Sequence, residues 1–348
     1  MRGRHEQRHS ISEWFARFRS GPYLPATVLV FIIAAAAALF AGSYTYTMAK
    51  PTPRDLPIGV VDPLTDPPVR TFLADMDHAL NDALTMRHYA TAAQARDALE
   101  AQEIFTIVDK DSAGIEVSTA SASGASVAEL LAQTAQEIPA TTAGPVRVQD
   151  LIPLQSGDPR GLGLFYITLA AGVVGMMGGV QLTVHAAALK PLERIAFTAA
   201  YAIVGGLAVI AVVDWGLHVI RLRFPESLII LSLTMFCAGM VFTMFNTLFG
   251  RWAMIPTWLL IVVLGNPSSG GAVSWPLLPT VLGVLGRWLP PGASMNAQHT
   301  AVYFRGHQHR EPFLVLAGWI VLSCTVFLWV QHRRSVAAAA AEAAVSPS

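Results

Sequence analysis

The sequence predicts an α-helical integral membrane protein: one N-terminal span, an external α/β domain, then a five-helix bundle (1+5) with short re-entrant or interfacial helices before the last span. Three observations lead there. Of the 348 residues, 53% are hydrophobic and only 13% charged, about half the ~25% charge of soluble proteins. The apolar residues gather in long runs almost free of charge. Residues 50–160, by contrast, have the mixed composition of an ordinary soluble domain.

A crossing helix needs about 20 mostly apolar residues, because the hydrocarbon core is ~30 Å thick and a helix rises ~1.5 Å per residue. Five segments meet that length: 23–48 (with the stretch VLVFIIAAAAALFAG), 162–189, 195–220, 228–249 and 313–330. A sixth run, 252–265, has only 14 residues. Parity includes it as a span, since it keeps Arg251 and the C-terminal Arg333 and Arg334 on one side. The first segment reads as an uncleaved anchor, because its apolar core exceeds the roughly 7–15 residues of a signal peptide.

Lysine and arginine in the short loops set the orientation. One side holds ten: Arg2, Arg4, Arg8, Arg17, Arg19, Lys190, Arg194, Arg251, Arg333 and Arg334. The other holds five: Arg221, Arg223, Arg287, Arg305 and Arg310. Both termini are therefore expected in the cytoplasm, and the chain in the cell's inner (cytoplasmic) membrane. Residues 1–22 form an amphipathic cytoplasmic segment, and the tail 332–348 is expected to be disordered.

The external domain, 49–160, alternates strand and helix signals. LPIGVVD at 56–62 reads as a strand, and Val69, Phe72, Leu73, Met76 and Leu80 mark one face of a following helix. A strand near 86–90 precedes a helix that opens on an N-cap at Thr91. IFTIVDK and GIEVSTA are two strands joined by a turn over 111–114, followed by a helix at 127–137 and a last strand over 146–154. That alternation predicts a small α/β domain. It contains no cysteine and no glycine-rich phosphate loop, and reads as a binding or docking domain.

Several chemistries lack their motifs. The three lysines, Lys50, Lys110 and Lys190, never follow a glycine, so the P-loop of an ATPase is absent. Neither a GxSxG elbow nor an HExxH pair occurs. No catalytic or metal-binding constellation and no cofactor is expected, and the His307–Gln308–His309 cluster reads as a solvated polar loop. Formal net charge is zero, which gives no reason to expect nucleic acid as a partner. Cys237 and Cys324 lie in apolar runs and read as small packing residues.

Polar groups inside spans cost free energy and need a reason. Asp214 and His218, four apart near the outer end of the third span, form either a local polar cluster or a proton- or substrate-sensitive site. Gln181 and His185, also four apart, are expected to hydrogen-bond between helices. Gly175 and Gly179 make a GxxxG pair, which suggests close helix packing.

After the short run, NPSSGG (Asn266, Pro267, Ser268, Ser269, Gly270, Gly271) leads to WPLLP at 275–279, then WLPPGA with Trp288, Pro290 and Pro291, then Tyr303–Phe304. Proline breaks this stretch into a pair of short helices lying at, or dipping into, the membrane surface. These motifs, with the one-span, α/β-domain, five-span layout, resemble the type 2 ABC exporter permease group of bacterial membrane proteins, in its YhgE/phage-infection-protein branch. The resemblance implies a permease that pairs with itself or a homologue and moves a hydrophobic or amphipathic compound outward. It also implies a separate cytoplasmic ATPase, docked near Trp14, Phe15 and Phe18 of the amphipathic N-terminal segment and near Lys190 and Arg194. Two alternatives stand beside it. One is a proton-coupled exporter carrying protons on Asp214 and His218; the other is a non-transporting surface receptor or scaffold. Membrane lipid is a partner in every case.

Overall fold

The computed structural model describes residues 18–19, 21–49, 51–61, 66–112, 114–138, 145–304 and 306–345. The chain divides into two compact units, 1–46 and 47–348. The first holds most of helix α1 (Tyr23–Met48), which is apolar on every side, the pattern of a helix solvated by lipid rather than of one lying on a soluble core.

The second unit begins with the α/β domain. Its elements are β1 (Leu56–Val61), α2 (Pro67–Ala79), β2 (Leu84–Tyr89), α3 (Ala92–Glu100), β3 (Thr106–Asp111), β4 (Gly114–Thr119), α4 (Ala125–Glu137) and β5 (Val146–Asp150). The sheet order is β2-β1-β3-β4-β5, parallel except for the β3–β4 hairpin. Gly114 makes that hairpin possible, with φ +136 at its exit. The Thr91 hydroxyl accepts the Gln94 N–H at 3.2 Å, capping α3.

One face of the sheet buries Ile58, Val60 and Val117 against Phe72, Leu73 and Met76 of α2 and Leu131 of α4. The other buries Ile107 against Ala95, Ala98 and Leu99 of α3. The centre of the sheet is therefore covered on both sides, while its edge strands β2 and β5 alternate half-buried and exposed positions.

The remaining helices are α5 (Gly163–His185), α6 (Pro191–Ile210, continued by a π-helical turn Ala211–Gly216), α7 (Phe224–Phe249), α8 (Met254–Trp258, continued as π-helix Leu259–Gly265), α9 (Thr280–Trp288), α10 (Pro290–Tyr303) and α11 (Glu311–Val345). Among the described residues, five helices are long and apolar enough to cross a membrane: Tyr23–Met48, Gly163–His185, Pro191–Gly216, Phe224–Trp252 and Glu311–Glu342. Met254–Gly265 is apolar but shorter.

α7 is the centre of the bundle. Gly175 and Gly179 of α5 lie against it at Met235 and Gly239, where a Cβ on Gly175 would stand 2.6 Å from Met235 Cα. The Tyr201 hydroxyl of α6 donates to the Gly175 carbonyl at 2.7 Å. The GxxxG pair thus joins helices within one chain.

Three expectations are corrected. The third span ends at Gly216 rather than 220, because the helix loosens into a π turn and His218 adopts φ +54. The tail continues as helix to Val345 instead of being disordered throughout, as its alanine run favours. Gln181 and His185 are exposed on α5 and make no interhelical hydrogen bond among the described residues.

Candidate functional site

The site is built by the way residues 266–293 fold back on themselves. Asn266, Ser268 and Ser269 are buried at 2%, 0% and 1% exposure. The Ser268 hydroxyl donates to the Leu264 carbonyl, and the Trp275 indole N–H donates to the Ser268 carbonyl at 3.2 Å. Gly270 takes φ +82 against that indole ring, a conformation L side chains resist. A Cβ on Gly286 of α9 would overlap the Ser268 carbonyl, and one on Gly292 of α10 would overlap the Gly286 carbonyl. A Cβ on Gly265 would stand 2.6 Å from Cγ of Pro291. Arg287 lies over the Trp275 ring at 5.1 Å.

The motif residues, scattered over 28 positions, therefore touch one another. Pro290 and Pro291 start α10 and are buried, whereas the Trp288 side chain is 67% exposed while its carbonyl accepts the Trp319 indole N–H at 2.9 Å.

The same knot holds the α/β domain. Leu277, at 2% exposure, sits in the domain's core with β1, α2 and α4. The Thr52 and Arg54 N–H groups donate to the Leu277 and Pro276 carbonyls at 3.3 and 3.0 Å. The Arg54 guanidinium donates to the Leu278 carbonyl at 2.8 Å. The Ser126 and Ser274 hydroxyls lie 3.1 Å apart, and Gln102 Nε2 donates to Thr300 Oγ1 of α10 at 3.0 Å. Nε2 of His309 stands 3.2 Å from the Ala101 carbonyl.

Between these anchors a cleft of about 1400 Å³ is left open. That exceeds the ~300–1,000 Å³ of small-molecule pockets. Its floor, from the folded-back segment, is apolar or small: Gly270, Gly271, Trp275, Gly292, Ala293 and Met295. Charges of both signs ring it, including Asp55, Glu129, Asp150, Arg160, Arg287 and Glu311. Ser123 Oγ and Asn296 Oδ1 also belong to lining residues and are shielded, with no hydrogen-bond partner among the described residues. His299, one turn after Asn296, packs on Tyr303 and Phe304. Burial pulls its imidazole down to about 4, so the ring is neutral at pH 7. An apolar floor below mixed charge and unpaired hydrogen-bonding groups suits an amphipathic molecule.

Of the residues singled out from sequence, Ser269, Gly270, Gly271, Trp275, Pro276, Gly292 and Ala293 line this cleft, as does His309, which was expected in a solvated polar loop. Asp214 and His218 do not. The Asp214 carboxylate accepts the Leu222 N–H at 3.0 Å, and His218 Nδ1 lies 2.6 Å from the Asp214 carbonyl. Their side chains hold the α6–α7 loop rather than each other.

Lys190 precedes α6, and its N–H donates to the Glu193 carboxylate at 2.9 Å. Arg194 turns inward, at 9% exposure, and its guanidinium donates to Thr183 Oγ1 and the Ala186 carbonyl. It clasps the end of α5. Phe18 stacks on Tyr23 at 6.4 Å, and Trp14 and Phe15 lie outside the described residues. His299, Asn296, Thr300, Gln102 and Ser126 carried no sequence signal, because the cleft joins segments about 200 residues apart.

No family model, curated protein or solved structure matches this chain.

Proposed function

We propose that the chain is a membrane permease that passes a hydrophobic or amphipathic compound outward through the cleft between its α/β domain and its folded-back segment. The observation that carries this reading is the cleft itself: about 1400 Å³, roofed by a soluble-type domain and floored by helices of an apolar bundle. An apolar floor takes the hydrophobic part of a substrate, and the polar roof takes its head as it leaves the membrane.

In this reading the arrangement is 1+5. α7 runs about 39 Å from Phe224, three residues after the Arg221 that binds Gln155 of the domain side, to Phe249. By Ser274 the chain is again at the α/β domain. Residues 250–274 thus retrace the length of the bundle as a broken crossing, with α8 supplying its helical half. Irregular backbone at membrane depth is tolerated where protein buries it, as Asn266–Ser269 are buried. With α1 as the first span, both termini fall on the cytoplasmic side, and the α/β domain falls outside. A cytoplasmic ATPase subunit supplies the energy, and the permease works as a dimer; both rest on the resemblance of the 266–304 motifs to type 2 ABC exporters. The Asp214 carboxylate is engaged with a backbone N–H, which favours this source over a proton relay at that residue.

Two experiments test it. Single cysteines at Ser112 and Ser335, probed in intact cells with an impermeant thiol reagent, should label at 112 only; labelling at 335 refutes the topology. Replacing Met295 on the cleft floor with Trp should raise cellular retention of any compound the wild type exports. Unchanged efflux in that variant refutes the cleft as the path.

A further inference from the structure

A second, smaller cavity of about 510 Å³ opens where the α6–α7 loop meets the loop after β5. It is lined by Gln155, Ser156, His218, Arg221, Arg223 and Val302, among others. The loop that carries the arginines is pinned. Gln155 binds both backbone groups of Arg221, accepting its N–H at 2.7 Å and donating to its carbonyl at 3.2 Å. Asp214 holds Leu222, and Gly157 packs so closely under the Val219 carbonyl that a Cβ would overlap it. His218 keeps φ +54, which for a residue other than glycine marks a backbone held by its surroundings.

In this rigid loop the Arg221 side chain has no partner among the described residues. The three nearby carboxylates are engaged: Glu226 pairs with Arg223 at 3.2 Å, Asp214 accepts from Leu222, and Asp158 accepts the Leu162 and Gly163 N–H groups at 3.0 and 2.8 Å. The lining run His218–Arg223 is flanked in the chain by exposed apolar residues, Trp215 and Leu217 before it and Phe224 after it. Trp215 and Leu217 are 53% and 64% exposed, and Trp215 meets Phe224 with ring centroids 5.6 Å apart. Trp and neighbouring apolar side chains at the ends of membrane helices mark the headgroup level of a bilayer. Arg221 lines the cavity, and a guanidinium without a partner at that level is complementary to a phosphate, which a planar fork of donors grips with two parallel bonds.

We propose that this cavity holds the phosphate of a phospholipid headgroup from the leaflet on the α/β-domain side, with Arg221 as its main donor and Trp215, Leu217 and Phe224 against the acyl chains. The site shares no side chain with the larger cleft except Gln155 and Ser156, and it does not depend on what the cleft carries.

Native mass spectrometry of the full chain in detergent, titrated with phosphatidylglycerol, tests it. Arg221→Gln should weaken phosphatidylglycerol binding about tenfold, a usual loss for one charge-assisted contact. Arg251→Gln, at the other end of α7, should leave it unchanged. Diacylglycerol, which has the same tails and no phosphate, should bind wild type no better than Arg221→Gln binds phosphatidylglycerol. The exposed Arg221 is not a folding determinant, so a matching melting temperature of the variant serves as the control, and Arg221→Lys should keep part of the affinity. Equal binding by wild type and Arg221→Gln, or equal binding of diacylglycerol, overturns the proposal. Displacement of the lipid by millimolar inorganic phosphate overturns the lipid as occupant and assigns the cavity to a free anion.

Discussion

Replacing Leu277 with alanine probes the joint on which the larger cleft depends. The side chain is 2% exposed and packs among Leu56, Ile58, Phe72 and Leu131 of the α/β domain, although it belongs to the segment that leaves the bundle. Truncation removes three carbons. At ~0.8 kcal/mol per buried CH₂ the transfer loss is about 2.4 kcal/mol, and the cavity left behind brings the usual cost for such a site to about 2–5 kcal/mol. The backbone bonds from Thr52 and Arg54 to residues 276 and 277 remain possible, so the loss is one of packing. A drop of about 3 kcal/mol in the opening free energy speeds amide exchange by about two orders of magnitude in strands whose exchange follows that opening. Hydrogen exchange read on peptides covering 56–61 and 114–119 is the assay. Leu264→Ala, at a side chain 39% exposed, is the comparison and should leave those peptides near wild type. If exchange in β1 and β4 is unchanged by Leu277→Ala, or is raised equally by Leu264→Ala, the α/β domain is not held through this residue.

Gly286→Ala forces a Cβ onto the Ser268 carbonyl, whose carbon it would approach at 2.6 Å. Carbon contacts sit about 3.5–4.0 Å apart, so the turn must shift by about 1 Å; thermal unfolding in detergent should show a loss of about 1–3 kcal/mol. Gly318→Ala, open to space on α11, should be neutral or stabilising by up to ~1 kcal/mol. Asp214→Asn keeps an acceptor for the Leu222 N–H and should preserve both stability and any export, whereas Asp214→Ala should cost about 1–2 kcal/mol; export lost in a well-folded Asp214→Asn would instead mark a proton carrier. His299 is held near 4 in the folded chain, below its unfolded value of about 6.5. Its contribution is therefore complete above pH 6.5 and is lost as pH falls toward 4, by up to about 3 kcal/mol; melting curves over that range should flatten in His299→Gln.

The α/β domain was legible in the sequence because its determinants are local. The Thr91 cap, the hairpin closing at Gly114 and the apolar face of α2 each act within a few residues, and each lies where its pattern indicates. The long apolar helices were legible for the same reason, since apolar length alone marks them. Their ends were not: nothing in the sequence around Ala211–Gly216 announces a π turn, and His218 leaves the helical face that a straight helix would give it. The GxxxG pair was legible as a contact but not as a contact with α7, because a small-residue pattern does not name its partner.

The folded-back segment lies between these cases. Its glycines and prolines mark turns, yet what makes Gly286 and Gly292 necessary is the carbonyl of Ser268, 18 residues before Gly286, and the carbonyl of Gly286 itself. The cleft was not legible at all. Gln102 and Thr300, or Ser126 and Ser274, meet only when the whole chain is folded. A span count registers the 252–265 run as a short apolar segment and misses that the residues after it carry Leu277 into another domain's core.

The most direct test of the central claim blocks the cleft. Glu129 lines the cleft and is exposed, so in a chain whose native cysteines are replaced by serine, Glu129→Cys should couple to a bulky impermeant methanethiosulfonate reagent that fills the cleft. Efflux of a panel of fluorescent amphipathic compounds is then compared in cells with wild type, the deletion and this variant before and after coupling. The account predicts that wild type exports at least one compound the deletion retains, that coupling abolishes this export in the variant, and that a reductant, which removes the group, restores it. Efflux of every compound equal in wild type and deletion, or full export by the coupled variant, would contradict it.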